Sequence, residues 1–378
     1  MNTKFTKGTK QRGTRTQTWN AVDWRVDNAG RRACMRITEI HATQPQFPDA
    51  PRDWRSSLGQ IVVEVQTDTG LTGLGVGGGG AASIHIVHTV LRDLLLGRDA
   101  REVEELHREM ETHTMLYGRK GIVIMAISGV DLALWDLRGK ATGKSVARCL
   151  APDLDAGRRL STYATVVDAA GAEVAATRGH RGIKLHAERL GERPEPSVVA
   201  SLLRAVRGVI GDDRFLMLDG FARWDVETTL RIADAVGEFE VAWLEEPLRP
   251  DDFAGYEELA RRCPLPIAGG EHEYTALGFR ELVERGLHQI LQPDINWCGG
   301  MTTVVEVYRM AKAKGLRVCP HRGAEAFALH AIAALDTDPL AESPRPWFRC
   351  LQGAPDIQAG TICVSDQPGF GVTLGEPR

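Results

Sequence analysis

The sequence predicts an α/β protein: a parallel (β/α) barrel preceded by a small α+β domain. Three observations predict it. Residues 36–77 alternate as an antiparallel meander and are followed by helical patterns. After residue 155, short apolar runs alternate with amphipathic segments at regular spacing. Most of those apolar runs end on a polar or charged side chain.

Residues 1–34 stand apart from this pattern. They hold eight Lys/Arg against two Asp, are rich in Thr, Asn, Gly and Gln, and show no helix or strand period. That composition reads as a disordered tail. Met35 directly precedes Arg36–Ile40, the first convincing strand, so the tail is set aside. In the meander, Ile61, Val63 and Val65 alternate with Val62, Glu64 and Gln66, and Asp68-Thr69-Gly70 marks the turn into Leu71–Gly77. Val87, Leu91 and Leu94–Leu96 continue a helical pattern, and Val103, Leu106 and Met110 mark another. Residues 121–141 form a third, with Ile124, Ile127, Val130, Leu134 and Leu137 on one side. The run Gly77–Gly80 lacks the GxGxxG spacing of a nucleotide loop.

Strands are expected at 160–166, 182–186, 214–219, 241–245, 266–270, 289–293 and 316–320, with an eighth, weak strand near 340. Helices fit between them, at 225–237, 252–262, 276–285 and 302–314 among others. Such units account for one barrel. A doubly wound sheet is the alternative, although no topological reversal is visible.

Composition narrows the function classes. With 43% hydrophobic residues the chain can bury a sizeable core, and a net charge of −4 argues against a nucleic-acid surface. No uncharged apolar run reaches the length of a membrane span. The seven cysteines are odd in number and include no CxxC, which argues against a disulfide framework and a structural zinc site and suits a reducing cytoplasm.

The strand ends carry the chemistry. Lys184, Asp219, Glu245, Glu271, Asp294 and His321 close successive strands at separations of 35, 26, 26, 23 and 27 residues, each one βα unit. All would face one mouth, where barrel enzymes place their active sites. Asp219, Glu245 and Glu271 sit on three consecutive strands. Three converging carboxylates repel one another unless a cation joins them, and oxygen-only ligation favours Mg²⁺, with Mn²⁺ as substitute. Three separate helix caps would be the plainer explanation. Glu246, next to Glu245, faces differently. Asp294 beside His321 can fix the imidazole tautomer and raise its basicity, making His321 a candidate general acid/base. Lys184 and His186 alternate and so share one face of their strand. They are candidates for binding a carboxylate or stabilising a developing oxyanion.

With these motifs in place the sequence resembles the enolase superfamily, in its mandelate racemase-like branch. The landmarks are Leu216–Asp219, Trp243-Leu244-Glu245-Glu246-Pro247, Gly270-Glu271, Gln292-Pro293-Asp294 and Pro320-His321, with Ser128–Asp136 and Gly139-Lys140 in the helical segment. The resemblance spans roughly residues 36–378 and is closest to the L-rhamnonate dehydratases. It rests there on Gly118-Arg119-Lys120-Gly121, Gly270-Glu271-His272 and Gln292–Thr303. It implies an α+β capping domain at 35–155, a (β/α)7β modified TIM barrel at 156–344, and a C-terminal segment at 345–378 returning to the capping domain. It also implies Mg²⁺ on Asp219, Glu245 and Glu271, a His321–Asp294 dyad, and a carboxyl near the last strand at Glu342. Substrate contacts would come from Glu342, from His272, and from His41 and Arg55 in the capping loops.

The implied reaction is dehydration of a sugar acid. The C2 proton is taken and the C3 hydroxyl eliminated, giving a 2-keto-3-deoxy acid. The implied partners are a small-molecule sugar acid and further copies of the chain, as a dimer or octamer. Two departures matter. Many members carry Lys-x-Lys on the second strand where this chain has Lys184-Leu185-His186, which counts against a two-base racemase. The stretch Arg322-Gly323-Ala324-Glu325 departs from a Gly/Ser-rich version. A racemase or epimerase of the same superfamily, or a non-catalytic acid-sugar-binding barrel, are the alternatives.

Overall fold

The computed structural model describes residues 34–45, 59–344 and 350–375. The reading of residues 1–34 as a tail falls outside these residues apart from Cys34, and so does the capping-loop contact Arg55.

The first layer is a three-stranded antiparallel sheet of β1 (Ile37–Thr43), β2 (Ile61–Thr67) and β3 (Thr72–Gly77), paired in that order. Helix α1 (Gly80–Ile86) runs through a π-helical turn at Val87–Leu91 into Arg92–Leu95, and is followed by α2 (Val103–Thr114) and the long α3 (Ile122–Thr142). Helix α3 lies against β3 on a row of glycines. A Cβ on Gly73, Gly75 or Gly77 would come within 2.1, 2.0 and 2.4 Å of Ala133 O, Gly129 O and Met125 O respectively. Every second strand residue therefore meets every fourth helix residue, backbone on backbone.

After α4 (Val146–Leu150) the chain builds eight parallel strands. These are β4 (Arg159–Val166), β5 (Gly182–His186), β6 (Phe215–Asp219), β7 (Val241–Glu245), β8 (Ile267–Gly269), β9 (Ile290–Leu291), β10 (Arg317–Val318) and β11 (Leu340–Glu342). They pair in the order β10-β9-β8-β7-β6-β5-β4-β11. The intervening helices are α5 (Ala169–Thr177), α6 (Pro196–Ile210), α7 (Val226–Ala235), α8 (Phe253–Arg262), α9 (Thr275–Glu284), α10 (Gly300–Lys314) and α11 (Ala326–Leu335). One helix thus separates each strand from the next, which is the (β/α)7β arrangement. Between the first and last strands of the path, the Cys319 thiol donates to Leu340 O at 3.4 Å. The doubly wound alternative is excluded, because the strand order follows the sequence without reversal and returns β11 to β4. Three short strands follow: β12 (Leu351–Gln352), β13 (Thr361–Cys363) and β14 (Thr373–Leu374). β13 pairs antiparallel with β4.

Strand period decides which side chains enter the barrel. Tyr163, Met217, Trp243, Ala268, Ile290, Cys319 and Leu340 form one buried cluster, whereas Ile183, Leu185, Leu216, Leu218 and Leu244 pack in the larger core that includes the helices. Two residues beyond each inward apolar side chain, the same face presents Asp219 after Met217 and Glu245 after Trp243.

Helix α3 also ties to the loop opening α10. Ser128 Oγ accepts from Gly299 N at 2.8 Å, and Asp131 accepts from Thr302 N at 3.1 Å and its hydroxyl at 2.6 Å. Trp135 Nε1 donates to Thr302 Oγ1 at 2.9 Å. Farther along α3, Asp136 accepts from Leu74 N on β3 and from Phe370 N near the C-terminus. Cys149, Cys263, Cys298, Cys319 and Cys363 form no disulfide, and no helix of the described residues is long and apolar enough to cross a membrane.

Candidate active site

The C-terminal ends of the barrel strands bring together Lys184, His186, Asp219, Glu245, Glu271, Asp294, His321 and Glu342. Lys184 is the hub. Its side chain is buried, and its ammonium bonds Glu245 Oε1, lies 2.9 Å from Glu342 Oε1 and 3.7 Å from Asp219 Oδ2. Glu245 also accepts from Trp243 Nε1 at 3.1 Å and Gln292 Nε2 at 2.6 Å. His186 shares the inward face with Lys184, with Nε2 3.6 Å from Asp219 Oδ2 and its ring 4.7 Å from that of Phe221.

The electrostatics follow from burial and crowding. Burial pushes the Asp219 and Glu245 carboxyls above their usual range; Lys184 opposes this, while Glu271 and other nearby acids reinforce it. Glu342 is held low against its burial by Lys184, His321, the Thr165 hydroxyl at 2.6 Å and Arg322 N at 2.8 Å. Burial disfavours charge on Lys184, but its acidic neighbours outweigh that and hold it protonated. One ammonium cannot neutralise so many acids, and their oxygen donors have the chemistry for a hard divalent cation; among the described residues it is Glu246, Glu271 and His272 whose ligand atoms all lie within 4.8 Å of one another.

On the opposite side, His321 Nδ1–H donates to Asp294 Oδ2 at 2.9 Å, leaving Nε2 3.5 Å from Glu271 Oε2. Burial opposes protonation of His321, yet Glu271 and the Asp294 hydrogen bond hold its pKa above the ordinary value despite Arg322. Asp294 is itself held below the carboxylate range, against its burial, by Arg322 and His321.

Residues 166–378 match the enolase C-terminal domain-like family, and residues 53–150 match the N-terminal domain of the mandelate racemase/muconate lactonizing enzyme family. The chain belongs to the enolase superfamily, in its mandelate racemase-like branch. It is 37% identical over 332 residues to an L-rhamnonate dehydratase of Saccharopolyspora erythraea, covering 84% of this chain and 83% of that one. Among solved structures it is similar to a rhamnonate dehydratase of Gibberella zeae complexed with Mg, at 27% identity and TM-score 0.80 over 92% of this chain and 96% of that one. It is also similar to the 3,6-anhydro-D-galactonate cycloisomerase of Zobellia galactanivorans, at 28% identity and TM-score 0.80 over 90% and 97% of the two chains.

For a superfamily member, the remaining residues expected from the sequence are placed unevenly. His272 adjoins the site, but its Nδ1 donates to Glu246 Oε2 at 2.7 Å, and Glu246 in turn accepts from Gly270 N. Glu246 has φ +30, which turns it away from Glu245. His41 lies on β1, exposed, its ring stacked on His88 at 5.4 Å. Arg55 lies outside the described residues. Sequence reasoning did not single out Trp297, Gln292, Thr165 or Arg322 for roles in the site. Trp297 lies 5.9 Å from the His321 ring and 6.1 Å from that of His272. Gly78, from the glycine run after β3, packs on Trp297, where a Cβ would stand 2.7 Å from Nε1. Gln292 stands beside Pro293-Asp294 and Thr165 two residues beyond Tyr163, so period and adjacency were the signals available.

Proposed function

We propose that this protein is a Mg²⁺-dependent acid-sugar dehydratase that removes the C2 proton of an aldonic acid and eliminates its C3 hydroxyl. The reading is carried by the opposition of two groups across one barrel mouth: the acids Asp219, Glu245 and Glu271, the first two buried and the third half-buried, and the His321–Asp294 pair whose Nε2 faces Glu271. Asp219, Glu245 and Glu271 would hold the metal, which as a Lewis acid stabilises the charge developing on the substrate carboxylate. Lys184, held protonated, adds a second positive charge beside the same oxygens. His321 Nε2 takes the C2 proton while Asp294 holds its Nδ1–H, so the ring can become cationic without turning. The C3 hydroxyl leaves as water once protonated. His321 returns the proton if both groups lie on one face of the substrate, and His186 supplies it if they do not. The enol product tautomerises to a 2-keto-3-deoxy acid. Dehydratase names among the relatives support this choice over racemisation, as does His186 in place of a second lysine.

L-Rhamnonate is the first substrate to try, followed by L-mannonate, L-lyxonate, L-fuconate and galactarate. Semicarbazone absorbance of released 2-keto acid tests substrate and reaction together. Chelation should abolish turnover and Mg²⁺ restore it. Full activity in rigorously metal-free protein, or deuterium entering recovered substrate with no keto product, would refute the dehydratase reading. A dimer or octamer belongs to the same reading; a light-scattering mass equal to one 41.4 kDa chain would count against it.

A further inference from the structure

Arg322 follows the proposed base directly, and three features set it apart. It is buried, and its backbone adopts φ +52, a conformation that a long side chain rarely takes. Its guanidinium bonds Asp294 Oδ2, the same oxygen that accepts from His321 Nδ1. It also lies over the Trp297 ring, 4.5 Å from the centroid.

The other Asp294 oxygen is taken as well: Oδ1 accepts from Asn296 N at 2.9 Å. The carboxylate therefore meets three donors, one from its own loop, one from the base and one from Arg322. Three donors on two oxygens fix both the position and the plane of the group. The Arg322 backbone is fixed in turn, because its N–H donates to Glu342 Oε2 and its carbonyl accepts from Glu325 N at 2.9 Å. Trp297 backs the guanidinium, and Gly78 packs on the same indole.

We infer that Arg322 is the positioning residue of the His321–Asp294 pair, clamping Asp294 against the Trp297 plane so that the imidazole keeps one orientation. Arg322 sits on the Nδ1 side of His321, whereas Nε2 faces Glu271. It acts through Asp294 and does not touch the reacting carbon. The inference rests on the base role proposed for His321.

The testing variant is Arg322→Gly, because glycine accepts the left-handed backbone and so removes the side chain without adding strain. The first readout needs no substrate: the downfield Nδ1–H proton resonance of His321, assigned by its loss in His321→Asn, in Mg²⁺-loaded protein. It should be sharp in the wild type, broadened or lost in Arg322→Gly, and restored by guanidinium chloride below denaturing concentration but not by methylammonium. The second readout is kinetic, on L-rhamnonate in deuterium oxide. Exchange at C2 and kcat should fall together by about tenfold or more, as for other partners that orient a reacting group, with KM little changed. An unchanged resonance in folded Arg322→Gly would overturn the inference, as would a rise in KM at constant kcat, which would make Arg322 a substrate contact. A wild type that shows the resonance but neither turns over nor exchanges L-rhamnonate refutes the substrate reading, and leaves the clamp to be judged on the resonance.

Discussion

Lys184 reaches past β4 to Glu342, with Nζ 2.9 Å from Oε1 and both side chains buried. The same ammonium bonds Glu245, so a single cation holds together acids from β7 and β11. In metal-free protein it is the main counter-charge of the site. Lys184→Met should therefore destabilise chelator-treated protein by about 3–5 kcal/mol, the cost of leaving buried carboxylates without their partner. Mg²⁺ should recover part of that loss and raise the melting temperature more in the variant than in the wild type. Urea unfolding with and without Mg²⁺ measures both effects; equal stability of variant and wild type in chelator would refute the counter-charge role.

His321→Asn should abolish both dehydration and deuterium exchange at C2, because the base is gone. His186→Asn separates the steps. If His186 protonates the leaving hydroxyl, exchange should survive while dehydration falls about 10²-fold or more. If it only positions substrate, exchange and dehydration should fall together, or KM should rise. Unchanged dehydration in His321→Asn would overturn the mechanism whatever the substrate.

Two buried histidines set opposite pH limits on stability. His330 accepts from Ala147 N at its Nδ1, 3.0 Å away, and burial lowers its pKa to about 4. The unfolded chain, with an ordinary histidine pKa of about 6.5, binds this proton more readily. Its stabilising contribution is thus complete above about pH 6.5 and is lost as pH falls towards 4. The full difference is about 3 kcal/mol. His107 is the reverse. Burial opposes its charge, but Asp131 at 3.1 Å and Glu111 at 3.4 Å prevail and raise its pKa to about 10. Its contribution is complete below about pH 6.5 and is lost as pH rises through 10. Urea midpoints across pH should show both declines. His330→Asn should flatten the acid limb and His107→Gln the alkaline one; slopes that do not change would refute the assignments.

Gly75→Ala places a methyl 2.0 Å from Gly129 O, where backbone meets backbone and neither side can yield locally. Overpacking at such a site should cost about 1–3 kcal/mol or more. Gly97→Ala, with nothing within 4 Å of its added methyl but φ +77, is the comparison for backbone strain alone. Thermal melting of the two variants separates the effects, and an undiminished melting temperature for Gly75→Ala would refute the close-packing account.

By itself, the sequence determined the alternation of strands and helices, the strand ends and the acids and histidines that stand on them. These depend on periods of two and 3.6 and on local spacing, which are properties of neighbouring residues. Lys184, Asp219, Glu245, Asp294 and His321 could be named for that reason, as could the turn of Glu246 away from Glu245. Tertiary structure decided what these residues touch. That Lys184 serves acids from separate strands, that Glu246 binds His272, and that Arg322 shares Asp294 with His321 all depend on barrel closure bringing distant segments within hydrogen-bond range. The glycine run shows the same division. Its spacing excludes a nucleotide loop, but its use, close approach of Gly77 on β3 to α3 and of Gly78 to Trp297, appears only when segments about fifty residues apart in the first case and more than two hundred in the second are packed together. Close approach is a condition on pairs of surfaces, and no period along one chain segment encodes it.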